Sequence, residues 1–244
     1  MSGSPEPTRA ETVVSLLARE LEDGDVVATG VASPLAILAI AVARATHAPR
    51  LTYLACVGSL NPRLDTLHRS SEDLAYLEGR SAEVSIPDLF DHARRGRVDT
   101  IFFGAAEVDA FGQTNMTAAG SLEHPRVKFP GVAGAATLRR WVKSPVLLVP
   151  RQSRRNLVPK VQVASTRDER PTRLITDLGV FEVGPAGARL IARHPGATSE
   201  EIAERTGFAF EVGSSLPVSP VPDPATLQAI RAIDVHGLRD SLVG

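Results

Sequence analysis

The chain has 244 residues, 43% of them apolar and 5% aromatic, with 27 basic against 28 acidic side chains. That is enough for one large core, and the near-neutral balance excludes a general nucleic-acid binder. A single cysteine excludes an intrachain disulfide framework, and six scattered histidines with no His-x-x-x-His pair argue against a metal site built by this chain alone.

Thr8-Arg-Ala-Glu11 has capping-box spacing, and Val13, Leu16, Leu17 and Leu21 follow at helical intervals, so a first helix should run to Asp23-Gly24. Val26 to Ala28 reads as a strand entering Gly30. Ser33-Pro34 opens a helix over Leu35 to Ala45, with the serine expected to cap free amides. Val26 to Ala43 carries no charge, but Thr29, Gly30, Ser33 and Pro34 interrupt it, so a strand, turn and helix explain it better than a membrane span. Met1 to Glu11 lacks the basic and apolar regions of a signal peptide. The expectation is a soluble, cytoplasmic protein with no membrane contact.

Leu51 to Val57 is a short apolar run ending at Gly58-Ser59, the form of a buried strand in a parallel sheet. It carries Cys56 at its carboxyl end, where ligands sit in open α/β sheets. Taken alone, one cysteine is more often an inert buried hydrophobe.

Asn61 to Pro87 is rich in Ser, Arg, Asp and Glu and reads as a long irregular excursion, either a substrate loop or a solvated cover. Pro87 to Arg95 reads as a helix whose basic end, Arg94 to Arg97, is solvated. Thr100 to Phe103 is another buried strand, ending at Gly104.

Phe111 to Thr117 is polar and turn-forming. Phe129 to Ala136 is a small-residue loop leading to a helix at Thr137 to Trp141, where backbone amides can approach an anion. Val146 to Val149 is a further strand. The basic run Arg151 to Arg155 suits solvation or an anionic partner about equally.

Leu174 to Val183, a Gly-Pro-Ala-Gly turn and Ala188 to Ala192 suggest antiparallel strands. Thr198 to Glu201 is a second capping box with Gly207 placed to end its helix, and Asp223-Pro224 opens a last helix after an irregular stretch from Val212. The fold class is therefore α/β: an open, mostly parallel sheet flanked by helices, with a small antiparallel hairpin region towards the C-terminus. One domain over residues 1–244 is expected. Its main sheet spans about 11–160, and 161–244 add strands and helices of the same domain.

Four stretches carry a family resemblance. They are Val108-Asp-Ala-Phe-Gly-Gln-Thr-Asn115, His124-Pro125 with Phe129-x-Gly131-x-x-Gly134, Leu174-Ile-Thr-Asp-Leu-Gly-Val-Phe181, and His194-Pro-Gly-Ala-Thr-Ser-Glu-Glu201 with Thr206-Gly-Phe208. With them the chain resembles the B subunit of class I CoA-transferases, such as glutaconate CoA-transferase, from about Glu11 to its end. The resemblance implies a homologous A subunit, a hetero-oligomer such as A2B2, and an active site at the A–B boundary.

Family transferases carry a nucleophilic glutamate at the end of this strand, followed by Ser or Asn and Gly. Here the positions read Cys56-Val57-Gly58. The family's Gly-Asn-x-Asn reads Gly112-Gln113-Thr114-Asn115, and its Gly-x-Gly-Gly reads Gly131-Val132-Ala133-Gly134. The chain is most similar to the transferase-like branch that releases CO2 from 3-methylglutaconyl-CoA, on the route to isovaleryl-CoA, with no cofactor beyond the coenzyme A of the substrate.

That chemistry asks for a dry carboxylate site and donors at the thioester oxygen; one oxyanion donor is typically worth about 3–4 kcal/mol. The resemblance assigns the oxyanion and substrate positions to Val57, Gly58, Gln113, Asn115, Gly131, Gly134 and Ala135, with the donors expected around Gly134-Ala135 and at the Asn115 side chain. Cys56 takes the catalytic position, either as a neutral wall or as a proton donor. Losing the glutamate removes a nucleophile and an anionic neighbour. Open alternatives are a CoA-transferase with its nucleophile in the A subunit, a hydrolase of steroid-derived CoA thioesters, and a non-catalytic partner subunit.

Overall fold

A computed structural model describes residues 6–167 and 169–244. In chain order it contains α1 (Arg9–Arg19), β1 (Val26–Thr29), α2 (Pro34–Ala45), β2 (Thr52–Ala55), β3 (Ser59–Leu60), β4 (Ala82–Glu83), α3 (Ile86–Arg94) and β5 (Thr100–Gly104). Next come β6 (Glu107–Val108), β7 (Thr114–Asn115), β8 (Ala118–Gly120), β9 (Pro125–Lys128), α4 (Ala135–Trp141) and β10 (Ser144–Val149). The chain finishes with β11 (Thr172–Thr176), β12 (Gly179–Gly184), β13 (Gly187–Arg193), α5 (Ser199–Glu204), β14 (Phe210–Val212), α6 (Pro224–Ile233) and α7 (Leu238–Leu242).

Among the described residues, ten strands form one sheet in the order β14-β13-β12-β11-β10-β5-β1-β2-β3-β4. Its centre, β11-β10-β5-β1-β2, is parallel. The antiparallel pairs β11-β12 and β12-β13 extend one side, as their alternation and turn residues predict. Along the central strands successive side chains enter opposite layers. Val27, Phe102, Val146 and Ile175 pack beneath α1 and α2, while Ala28, Ile101, Leu147 and Leu174 face α3, α4 and α5. Both faces are thus covered, which is why these strands read as unbroken apolar runs.

The Thr8–Glu11 capping box forms as its spacing predicts, but Glu11 does more. Its buried carboxylate accepts from Arg231 at 2.7 Å and Arg239 at 2.9 Å, fastening α1 to α6 and α7. A pattern of apolar spacing contains no sign of these arginines, and α7 is an element it does not anticipate.

Other local signals resolve differently from their sequence reading. Ser33 makes no cap bond and donates instead to the Val31 carbonyl. Thr198 does cap α5, but Glu201 turns away to Arg9 and Arg205. Gly207 does not end that helix. It lies where a Cβ would meet the Leu157 carbonyl at 2.3 Å, so the absence of a side chain allows two backbones to touch. The 61–87 excursion is partly ordered, because β4 pairs antiparallel with β3 at the sheet edge and Ser85 caps α3, which starts one residue earlier than expected. The basic run after β10 is partly tertiary: Arg151 donates to the Ser241 carbonyl and Arg154 to that of Thr206. No helix among the described residues is long and apolar enough to cross a membrane.

Two stability outcomes follow. Glu11→Ala should cost about 3–5 kcal/mol in urea denaturation, since it strands two guanidinium groups. Burial alone would raise the Glu11 pKa, but Arg231, the Thr8 amide and Arg239 outweigh it and hold it below its ordinary 4.5. Its stabilisation is therefore complete above that value and lost as pH falls through the folded one, and the variant should lack this acid-side component. Gly207→Ala should cost about 1–3 kcal/mol in the same measurement.

Candidate active site

The parallel register brings the carboxyl ends of β1, β2 and β5 to one edge, at Thr29, Ala55 and Gly104. A cavity of about 420 Å³ opens there. Its walls are the strand ends, the 30–33 turn before α2, Ile86 to Phe90 of α3, and the 129–135 loop running into α4. Cys56 is the only titratable side chain among the described residues lining it. The volume falls within the usual range for small-ligand sites, and apart from the hydroxyls of Thr29 and Ser33 and the Met116 thioether the rest of the lining is aliphatic, aromatic or backbone.

Cys56 sits just past β2, half-buried, where the chain turns back to β3. Its thiol donates to the Ser71 carbonyl at 3.2 Å and lies 3.8 Å from Glu72 Oε1. Burial, reinforced by the Glu72 charge, pushes the thiol pKa up. A neutral thiol is the form this position favours.

Glu72 is not visible as a site residue in the sequence, where Ser70-Ser71-Glu72 reads as solvated surface. Its carboxylate accepts from the hydroxyls of Ser70 at 2.8 Å and Ser71 at 2.9 Å, and the Ala32 backbone also favours its charged form. Burial would raise its pKa, but these donors hold it below the ordinary carboxylate value. Although the family glutamate is absent, another carboxylate stands behind Cys56, outside the lining of the cavity.

Of the other expected positions, Gly131, Gly134 and Ala135 line the same cavity as Cys56. The Gly131 amide is committed to the Met116 carbonyl at 2.9 Å and that of Ala135 to Val132 at 2.8 Å. The amides of Val132, Ala133 and Gly134 donate to no partner among the described residues. Ala133 has φ +42° and Ala32 has φ +54°. Two non-glycine residues in the lining of one cavity thus hold left-handed backbone, the kind of strain that clusters at functional sites.

Four positions fall outside the cavity. Val57 packs into the core under the helices, and Gly58 takes φ +88° to close the turn to β3. Asn115 is fully buried, and both its amide hydrogens are used, on Glu107 at 2.8 Å and the Ala118 carbonyl at 2.8 Å. It therefore builds the wall and offers no donor to the cavity. Gln113 lies beyond α4, in a separate polar depression with Thr137, Arg140, Trp141 and Arg167. The motif around it is structural, since buried Arg139 donates to the Gly112 carbonyl at 3.2 Å and Asp109 accepts from the Phe111 and Gln113 amides.

Comparison with known proteins identifies the family. The Coenzyme A transferase family model matches residues 10–205. The chain is 29% identical to the B subunit of 3-oxoadipate CoA-transferase from Pseudomonas knackmussii, over 93% of each chain. It is 24% identical to the B subunit of glutaconate CoA-transferase from Acidaminococcus fermentans, over 92% of this chain and 91% of the relative. Among solved structures it matches the decarboxylase AibA/AibB at 76% identity and a TM-score of 0.95, covering 97% of this chain and 99% of that one. The C56A and C56S variants of that enzyme match with the same score. From residues, fold and relatives together, the chain belongs to the coenzyme A transferase family.

Proposed function

We propose that this protein is the B subunit of a carboxy-lyase that decarboxylates 3-methylglutaconyl-CoA to 3,3-dimethylacrylyl-CoA, in complex with a homologous A subunit. The observation that carries the reading is the uncharged cavity with a neutral thiol at the position where family transferases hold their glutamate. The similarity to AibA/AibB supports both the reaction class and the heteromer, for which A2B2 is the proposed stoichiometry. The whole chain acts as one such subunit, in the cytoplasm, and coenzyme A enters only as part of the substrate.

The chemistry follows from the lining. A carboxylate placed among Ile86, Phe90, Met116 and Val132 loses its water without gaining a cation, which raises its energy relative to neutral CO2. As the carbon–carbon bond to CO2 breaks, its electrons pass through the conjugated double bond to the thioester oxygen. The resulting dienolate oxygen is served by the amides of Val132, Ala133 and Gly134, with Gly134 taking the role expected for the Gly134-Ala135 pair. The dienolate then takes a proton at the carbon that lost CO2. Cys56 contributes size and neutrality: it brings no carboxylate into the cavity to attack the thioester or repel the charge as it forms.

The decisive assay is CO2 release from 3-methylglutaconyl-CoA by the co-purified subunits with no added cofactor. Exchange of labelled acetate into acyl-CoA, or hydration products from a ring-bearing thioester, would instead favour the transferase or hydrolase readings. Full turnover by the A subunit alone would make this chain a structural partner. Cys56→Ala and Cys56→Ser should keep at least about a tenth of kcat/KM, as a lining role requires. Cys56→Glu should abolish most decarboxylation, and undiminished activity there would end the electrostatic account.

Gly134→Ala tests the donor loop. A Cβ at Gly134 would meet the Phe90 ring at 2.4 Å. A repacking cost of about 1–3 kcal/mol expressed at the site corresponds to roughly 5- to 150-fold lower kcat/KM.

A further inference from the structure

We infer that Glu72 is a positioning residue that keeps Cys56 a thiol, so that the sulfur lines the cavity as a neutral wall and does not attack the substrate's thioester. The inference deepens the decarboxylase reading and rests on it for the identity of the thioester.

A cysteine beside a bound thioester is a hazard. As a thiolate, its sulfur would bond to the acyl carbonyl carbon, the bond from that carbon to the coenzyme A sulfur would break, and the released coenzyme A thiolate would take a proton from water. The product would be an S-acyl enzyme, the sulfur analogue of acyl transfer, with the carboxylate of the substrate still attached. Whether that happens depends on how much of the sulfur is ionised.

Burial and Glu72 weigh against ionisation of Cys56, and together they outweigh the Ser71 side chain, which favours it. The S–H has two acceptors, the Ser71 carbonyl at 3.2 Å and Glu72 Oε1 at 3.8 Å, and either bond is lost when the proton leaves. Glu72 is itself held in place and ionised. Ser70 Oγ donates to one carboxylate oxygen and Ser71 Oγ to the other. Ser71 Oγ also accepts from the Ser33 amide at 3.3 Å. One short segment, residues 70–72, therefore ties the end of β2 to the turn before α2.

The other titratable groups around the sulfur give it no cation. Tyr53 from β2, whose hydroxyl bonds Thr29 of β1 at 2.7 Å, and Tyr76 from the excursion are both buried, and burial pushes their pKa values up. His68 and Asp73 lie against Tyr76, 3.5 Å from one another. The 30–33 turn and the 129–135 loop contain no ionisable side chain.

The test uses the co-purified A–B complex. The rate of Cys56 alkylation by iodoacetamide is followed against pH, with the modified residue located by mass spectrometry, in the parent and in Glu72→Gln and Glu72→Asp. Glu72→Gln should lower the midpoint of the profile and make alkylation at pH 8 at least about threefold faster, because the thiolate fraction rises. Glu72→Asp keeps the charge but draws it back from the sulfur, so its midpoint should fall between the other two. It carries the test if Glu72→Gln does not assemble. Mixing the Gln variant with substrate should also release free coenzyme A in step with S-acylation of Cys56.

Superimposable alkylation profiles, or a midpoint that rises on removing the charge, would overturn the inference. The alkylation arm needs no substrate. Shifted profiles without CO2 release from the parent would therefore defeat the decarboxylase reading while leaving the role of Glu72 intact. Normal CO2 release with unshifted profiles would do the reverse.

Discussion

The site depends on the parallel pairing of β2, β1 and β5. Because these strands run in the same direction and in matched register, Ala28 beside Leu54 and beside Ile101, their carboxyl ends arrive together. Parallel pairing demands crossover connections, and α2 and α3 supply them, one on each face of the sheet. The start of α2 and the side of α3 are then held against the same edge. The cavity is a consequence of this geometry: strand ends form its floor, and the crossover turns and the loop before α4 form its walls.

Within that frame, chemistry is set by where charge is allowed. The lining excludes every charged side chain among the described residues, while a carboxylate lies only 3.8 Å behind the sulfur of Cys56. These two facts act together. A dry interior raises the energy of a bound carboxylate, and a fixed negative charge beyond the wall raises the energy of a thiolate. The apolar cavity thus favours loss of CO2, and burial of the sulfur with the Glu72 carboxylate beside it disfavours covalent capture. The polar residues nearby are spent on structure: Asn115 on Glu107 and Ala118, and Asp109 on the turn that follows it. A family motif can survive in a chain because it holds up the wall of a site, without any of its side chains reaching the substrate.

The central strands are readable because each is a short apolar run closed by glycine or a polar turn, and burial on both faces leaves that mark in the residues themselves. The helices α1, α3 and α6 carry capping residues at Thr8, Ser85 and Asp223, and of these Thr8 and Asp223 are enough to find their helices. The two-residue strands β3, β4, β6 and β7 leave no such mark, since two residues have no period and their pairing is imposed by neighbours. Gly207 misleads for a related reason. A glycine after a helix usually ends it, whereas this one is required by the Leu157 carbonyl 50 positions earlier in the chain.

From residues alone came the α/β class, the central parallel strands and the antiparallel pair after them, the family, and the placing of Cys56 at a strand's carboxyl end, all of which rest on local pattern and on matched motifs. Tertiary structure decided which polar groups share the site. It moved Gln113 and Asn115 out, placed residues 132–134 in the cavity lining with no acceptor for their amides among the described residues, and brought Glu72 to Cys56 across 16 positions of irregular chain. The physical reason is that a side chain's burial and hydrogen-bond partners are properties of its neighbours in space. Those neighbours come from segments whose own sequences carry no trace of one another.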